Sequence, residues 1–233
     1  MAQPLRVISS MATKQILNDL VAQYQTASGQ PVGVESVGGV DAAKRVHAGE
    51  EFDVVVLARN AMDQLQGASK LVQGTLCDLV ISGVAVAVAS GSAHPDITSE
   101  SAVKQAVLNA STLGYSTGPS GVQLASLFER WGIADSLKDR IVQAPPGVPV
   151  GALIAKGEVA LGFQQLSELL NVNGVDVVGM LPKPIAIATV FSGAVASTCN
   201  NKAAASALLA FMATPQNAEI IRQNGMDPAL GPA

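Results

Sequence analysis

Short apolar runs alternate along this chain with segments in which apolar residues recur every three or four positions. The run 53–57 (Asp-Val-Val-Val-Leu) is β-branched and typical of a buried parallel strand, whereas the apolar residues between 16 and 24 fall on one face of a helix. Strands are predicted at 5–8, 31–37, 53–57, 79–89, 113–116, 141–144, 159–163, 175–181 and 185–191. Helices are predicted at 16–24, 42–47, 103–109, 122–131, 200–213 and 215–224, and after Pro149. This alternation predicts an α/β fold built of strand–loop–helix units.

The stretch 113–132 is the most distinct of these units. Its strand ends at Ser116, and apolar residues at helical spacing begin at Val122. We expect Ser120 to cap this helix and Gly121 to let a ligand approach the first N–H groups, which have no internal partner. Such a helix N-terminus attracts an anion. The alternative is an ordinary capped helix without a ligand.

Loops at the carboxyl ends of the strands are the predicted functional positions, because ligands of open α/β sheets bind there. These loops are 9–11, 38–40, 59–60, 116–122, 145–149 and 164–167. They are small or polar, and together they offer many N–H donors with few formal charges. The predicted ligand is therefore an anion.

Composition narrows the range of functions. Hydrophobic residues make up 48% and charged residues 14% of the 233 residues, which predicts a well-buried globular protein. A net charge of −4 with 3% aromatic residues argues against nucleic acid as a partner. The longest apolar run, 79–90, is too short to span a bilayer, so we expect no membrane insertion. Without a P-loop, a dinucleotide fingerprint, a Ser/His/Asp order or a metal-ligand set, we expect no cofactor and no metal.

The N-terminus enters a strand directly, without the pattern of a signal peptide. Two alternatives follow: a cytoplasmic protein, or a periplasmic protein whose signal peptide was removed just before Ala2 or Gln3. Cys77 and Cys199 leave the same choice open, since they fit one disulfide in an oxidising compartment or two thiols in the cytosol.

The order of segments resembles type 2 periplasmic binding proteins, and among them the molybdate-binding solute receptors. The resemblance rests on the sequences at 7–13, 43–49, 52–56, 119–122, 132–133 and 160–163. It implies two doubly wound lobes, 1–82 plus 192–233 and 83–191, joined by crossing strands at 79–89 and 185–195, with a ligand cleft between the lobes. It also implies a monomer that binds a small anion and, if exported, delivers it to a membrane transporter.

The same resemblance predicts a disulfide only under one condition. If the two crossing strands pair antiparallel, Cys77 and Cys199 lie at equal offsets outside the ladder and come within disulfide range.

Departures from the molybdate receptors point to a different ligand. That family holds molybdate with serine hydroxyls at the first two loops and a tyrosine in a late one. These positions fall here on Ser10 or Met11, on Gly38 or Gly39, and on Gln165. Each buried donor lost is worth ~1–3 kcal/mol, so we expect an organic di- or tricarboxylate instead of molybdate.

The predicted ligand-binding residues follow from these loops, with Arg59, Gln164 and Gln165 suited to planar carboxylate or amide groups. The full set is Ser9, Ser10, Met11, Gly38, Gly39, Val40, Arg59, Ser116, Ser120, Gly121, Val122, Val148, Gln164 and Gln165.

An isomerase is the alternative to a receptor. The resemblance extends to aconitate isomerases, which shift the double bond of an unsaturated tricarboxylate. Such a reaction needs a base and stabilisation of a carbanion-like charge. Ser9, Ser10 and Lys14 are the proton carriers that the sequence places near the first loop.

Overall fold

The computed structural model describes residues 3–145 and 147–229. The strands are β1 Leu5–Ser10, β2 Val32–Val37, β3 Val54–Ala58, β4 Cys77–Ala89, β5 Leu113–Ser116, β6 Ile141–Ala144, β7 Leu161–Gln165, β8 Val175–Met180, β9 Ala188–Val195 and β10 Asp227–Pro228. The helices are α1 Lys14–Ser28, α2 Gly39–His47, α3 Arg59–Gly67, α4 Glu100–Asn109, α5 Pro119–Arg130, α6 Ala134–Leu137, α7 Val150–Ala155, α8 Leu166–Leu169, α9 Lys202–Met212 and α10 Ala218–Gln223. The predicted α/β class is confirmed.

Two compact units divide the chain, one from Met1–Ser82 with Val190–Ala233 and one from Gly83–Thr189. β4 and β9 each pass from one unit into the other along the chain. Within the described ranges, no helix has both the length and the apolar character needed to cross a membrane.

The first unit is a sheet in the order β2-β1-β3-β9-β4, with β1 parallel to β2 and β3 and with β9 antiparallel to β3. Alternate residues of β3 enter different cores: Val54 and Val56 pack with α1 and α9, whereas Val55 and Leu57 pack with α2 and α3. Because both faces of the sheet are covered by helices, its central strand is apolar along its whole length.

The second unit is a sheet in the order β4-β7-β5-β6, with β8 also pairing with β4. β5 is parallel to β6 and β7, and β7 is antiparallel to β4. Successive residues of β4 again divide between two cores, Val86 and Val88 on one side and Ala85 and Ala87 on the other.

Several predicted helix starts are wrong by a few residues. The helix predicted from residue 42 begins at Gly39 after the N-cap Gly38, and Ser120 does not cap α5, which begins at Pro119 after the N-cap Gly118. Ser99 caps α4, because its Oγ accepts a hydrogen bond from the Ala102 N–H at 3.1 Å. Proline suits the first helical position because its missing N–H would be unpaired there.

Candidate functional site

In the first unit, parallel pairing brings the carboxyl ends of β1, β2 and β3 to one edge of the sheet. Ser10 lies opposite Val37, and Ser9 lies opposite Val56. α2 and α3 begin directly at this edge, within two residues of the strands that precede them. Their first-turn N–H groups have no helical acceptor, so this edge collects unpaired donors.

The two serines that end β1 have different surroundings. Ser9 is fully buried, and its hydroxyl lies 2.7 Å from the Ser36 hydroxyl inside the sheet. The Ser10 hydroxyl makes a long contact of 3.4 Å with the hydroxyl of Thr13. A Cβ on Gly39 would lie 3.6 Å from the Ser10 Cβ, so the first and second predicted loops are in contact. Ser10 is therefore the serine whose hydroxyl is better placed to meet a ligand.

Met11 and Lys14 follow Ser10 in the first loop. Met11 is partly exposed, and Lys14 is exposed as the first residue of α1.

Arg59 is held by carboxylates of its own unit. Its Nε donates to Asp63 at 2.8 Å, and its Nη1 donates to Asp78 at 2.9 Å. Asp78 also accepts a hydrogen bond from Ser192 at 2.6 Å, which fixes it in place. Two acidic residues thus compensate the charge of Arg59, and its predicted role as a ligand-binding residue stays a prediction.

In the second unit, β5, β6 and β7 are parallel, so Ser116, Ala144 and Gln165 end at one edge of the sheet. The Ser116 hydroxyl accepts a hydrogen bond from the Gly118 N–H at 3.3 Å, which shapes the loop before α5. Ser120 is buried in the first turn of the helix. The N–H groups of this turn have no helical acceptor and can meet a ligand.

Gly121 has a packing role that the sequence did not predict. A Cβ at this position would lie 1.8 Å from the carbonyl oxygen of Ser116 and 3.2 Å from Cδ2 of Tyr115. The glycine therefore lets α5 pack directly against the end of β5. That the same glycine also lets a ligand approach the start of the helix stays a prediction.

Gln164 and Gln165 are buried, not exposed at a helix start. The Gln164 Oε1 accepts a hydrogen bond from the Gly151 N–H at 3.3 Å in the first turn of α7. The Gln165 Nε2 donates to the Thr189 hydroxyl at 2.9 Å, while its Oε1 is buried without a hydrogen-bond partner. A buried amide oxygen of this kind is costly unless another group reaches it. The amide assignment rests on hydrogen bonding, and in the flipped orientation the NH₂ group would be the free end.

Exposed apolar side chains are concentrated at these two edges. Among the described residues, four large hydrophobic side chains are exposed, and three of them are predicted site residues: Val40 at 49%, Val122 at 61% and Val148 at 37%. Val40 and Val122 lie in the first turns of α2 and α5, beside the unpaired N–H groups. Val148 lies in the loop 145–149, of which residue 146 is outside the described residues.

Comparison with known proteins identifies the family. The family model of bacterial extracellular solute-binding proteins matches residues 5–227. The chain is 36% identical to the aconitate isomerase of a Pseudomonas species, over 97% of this chain and 90% of that protein. This chain belongs to the bacterial extracellular solute-binding protein family.

Other relatives of this solute-binding protein bind oxyanions. The chain is 23% identical to the molybdate-binding protein ModA of Escherichia coli K12, over 95% of this chain and 88% of that protein. Its fold matches that of the periplasmic molybdate-binding protein of Azotobacter vinelandii with a TM-score of 0.80 at 19% identity, over 95% and 98% of the two chains. The predicted resemblance to molybdate receptors and to aconitate isomerase is confirmed.

Glu168 is a residue of this solute-binding protein that the sequence did not single out. It lies on α8, which begins directly after Gln165, and the predicted loop 164–167 stops one residue before it. Burial raises the pKa of its carboxyl to about 7, and a hydrogen bond from the Gln164 side chain opposes that rise. The sequence signal that could have identified Glu168 is its position shortly after the two amides, Gln164 and Gln165, that end a buried strand.

Cys77 and Cys199 are free thiols in this family member. Of the two alternatives, a disulfide or two thiols, the structure therefore has the two thiols. The Cys77 Sγ donates to the Gly193 carbonyl oxygen at 3.7 Å. Burial raises the pKa of both thiols, that of Cys199 to about 11.

Proposed function

We propose that this chain binds a small organic anion, a di- or tricarboxylate, at the loops that end its parallel strands. The observation that carries this proposal is made within each unit separately: an exposed valine lies in the first turn of a helix whose first N–H groups have no helical acceptor, Val40 on α2 in the first unit and Val122 on α5 in the second. In either unit, the N–H groups suit a carboxylate oxygen of the ligand, and the exposed valine suits an adjacent part of its carbon skeleton. A compact oxometalate has no carbon skeleton and would leave these side chains against water.

Two further features support an organic ligand. The Gln165 amide has one unpartnered end, which suits a carboxylate in one amide orientation and a hydroxyl or carboxylic acid proton in the other. Glycines 38 and 39 leave space at the loop where molybdate receptors carry a serine, as the resemblance predicted. Membership of the bacterial extracellular solute-binding protein family supports a periplasmic protein that delivers its ligand to a membrane transporter.

A ligand panel tests the proposal. Purified protein is mixed with molybdate, tungstate, a saturated dicarboxylate, a saturated tricarboxylate, and cis- and trans-aconitate, and its melting temperature is measured. A ligand at 100 times its Kd stabilises the native state by about 2.7 kcal/mol, so a carboxylate is expected to raise the melting temperature by several degrees. If molybdate stabilises the protein most, the organic ligand is refuted.

A matched pair of variants on α5 tests the location. Val122→Asp places a carboxylate beside the first-turn N–H groups, where it competes with the ligand while favouring the helix dipole. Ser126→Asp adds the same charge to an exposed position one turn further along. Calorimetry is expected to show at least tenfold weaker carboxylate binding for Val122→Asp, and less than threefold weakening for Ser126→Asp. Equal effects of the two variants would contradict the location.

Isomerisation of an unsaturated tricarboxylate is the second candidate function. It is favoured by the 36% identity to an aconitate isomerase over nearly the full length of both proteins. Proton NMR of cis-aconitate incubated with the protein tests it, because the vinyl signals of the cis and trans isomers differ. The appearance of trans-aconitate supports the isomerase, whereas binding without conversion supports the receptor.

A further inference from the structure

The isomerisation of an unsaturated tricarboxylate requires one proton to move between two carbons. A base removes a proton from the methylene group, and the electron pair of that C–H bond spreads over the adjacent allyl and carboxylate system. The same group then returns a proton to the other end of the allyl system, and the double bond has shifted. No atom or electron is gained or lost, so a single carboxylate can carry the whole reaction.

Glu168 lies at the right edge of the second unit for this role. α8 begins where β7 ends, and β7 lies parallel to β5, whose end precedes the unpaired N–H groups of α5. The residue is also three positions after Gln165, the buried amide with one unpartnered end. Glu168 is therefore on the side of the sheet where the ligand-binding loops of this unit meet.

Among the described elements that pack most closely against α8, none carries a cation that would hold the Glu168 carboxylate in its ionised form. Helix α8 packs against α7, β7 and β8. Within those three elements, α7 and β7 carry no charged residue, and Asp176 of β8 interacts instead with Ser90, Gly91 and His94. Its pKa of about 7 results from burial, so the carboxyl can both accept and release a proton near neutral pH.

Gln164 orients this carboxyl. Its Oε1 is fixed by the Gly151 N–H at 3.3 Å, and the same side chain forms a hydrogen bond to Glu168. Two of the three other proton carriers are less suitable, because the Ser9 hydroxyl is engaged with Ser36 at 2.7 Å and Lys14 is exposed. A general base must be held within hydrogen-bond reach of the proton that it removes, and a fixed amide partner provides such positioning.

We propose that Glu168 is the general base that moves the proton in the isomerisation of an unsaturated tricarboxylate, an inference that rests on the isomerase candidate above. Glu168→Gln retains the shape of the side chain and removes its basicity. The expected result is a loss of isomerisation rate of roughly 10²- to 10⁴-fold with tricarboxylate binding changed less than threefold. Glu168→Asp retains a carboxylate at a shorter reach and is expected to keep part of the activity.

The experiment measures isomerisation by proton NMR and binding by calorimetry, in the full chain, from pH 5 to pH 9. At tricarboxylate concentrations far below saturation, where the rate reports the pKa of the free protein, the wild-type rate is expected to rise with pH and level off above about pH 7. Glu158→Gln, which removes an exposed carboxyl elsewhere in the same unit, should retain this profile. A folded Glu168→Gln variant that retains more than a tenth of the wild-type rate would overturn the inference. Wild-type protein that binds the tricarboxylate without converting it would also overturn it, leaving the carboxylate-binding proposal intact. Wild-type protein that binds no carboxylate would overturn the proposed function itself.

Discussion

Replacement of Gly121 by alanine is expected to destabilise the second unit through a single backbone contact. The added Cβ would lie 1.8 Å from the Ser116 carbonyl oxygen and 2.9 Å from its carbonyl carbon. Carbon and oxygen atoms in close protein contacts stay ~3.3 Å apart, so the start of α5 must move away from the end of β5 by roughly 1.5 Å. A flexible side chain could rotate away, but a backbone carbonyl at the end of a paired strand cannot.

The magnitude follows from the rigidity of this contact. Overpacking of a filled interior costs ~1–3 kcal/mol, and the backbone obstacle at Ser116 favours the upper half of that range. For a protein of this size, each kcal/mol lowers the melting temperature by ~2–4 °C, which gives an expected decrease of roughly 4–12 °C. Since the shift of α5 also displaces its first-turn N–H groups, carboxylate binding should weaken in the same variant.

Circular dichroism during heating and urea titration measures this loss. Gly67→Ala is the matched control, because a Cβ there meets nothing within 4 Å on the exposed last residue of α3. That variant is expected to be neutral or slightly more stable than the wild type, since alanine is a better helix former than glycine. Surface substitutions usually change the free energy of unfolding by less than about 0.5 kcal/mol. If the free energy of unfolding of Gly121→Ala differs from that of the wild type by no more than this, the tight packing of α5 on β5 is refuted.

Three further predictions concern titration, charge and thiols. Burial raises the Glu168 pKa to about 7 from its ordinary 4.5, so the native state keeps a proton that the unfolded state loses between these values. Stability should therefore fall as pH rises through this window, by at most about 3 kcal/mol, and urea titrations of Glu168→Gln at pH 5 and pH 8 should lack this fall. Arg59→Gln should change carboxylate affinity less than threefold by calorimetry, because Asp63 and Asp78 already compensate the arginine; a tenfold loss would contradict this. Thiol titration at pH 8 should detect little reaction of Cys77 and Cys199 in native protein and two thiols in denatured, unreduced protein, whereas no thiols after denaturation would indicate a disulfide.

The strands were predictable because their signal is local. The β-branched run 53–57 and the parallel strand at 113–116 need only their own apolar residues to be recognised, and both are strands in the structure. Helix starts were less predictable, since Pro119 and Ser120 are both acceptable near an N-terminus. Which of them begins the helix depends on how the chain leaves β5.

The chemistry of the site was only partly predictable because it depends on contacts between distant residues. The loops that carry unpaired N–H groups follow from strand order alone, and the structure has helices beginning at Gly39, Arg59 and Pro119. Asp78, which pairs with Arg59, is nineteen residues away along the chain, and the sequence around Arg59 does not predict this pairing. The burial that raises the pKa of Glu168 is likewise a property of packed elements and not of the sequence around it.

Arg59 is the only basic residue in the sequences of the six predicted ligand loops, which bears on how a carboxylate ligand would be held. Asp63 and Asp78 compensate the charge of Arg59. The attraction for a carboxylate ligand must therefore come mainly from the dipoles of N–H groups and hydroxyls, which need no counter-charge. Glu168 fits such a site, because near neutral pH a carboxyl with a pKa of about 7 is protonated part of the time and then does not repel an incoming carboxylate. Once the ligand is bound, its negative charge raises the Glu168 pKa further and makes the ionised side chain a stronger base. Desolvation of Glu168 thus has two effects. It keeps the carboxyl partly protonated, so that an anionic ligand can bind beside it, and it makes the ionised carboxylate basic enough to remove a proton from that ligand.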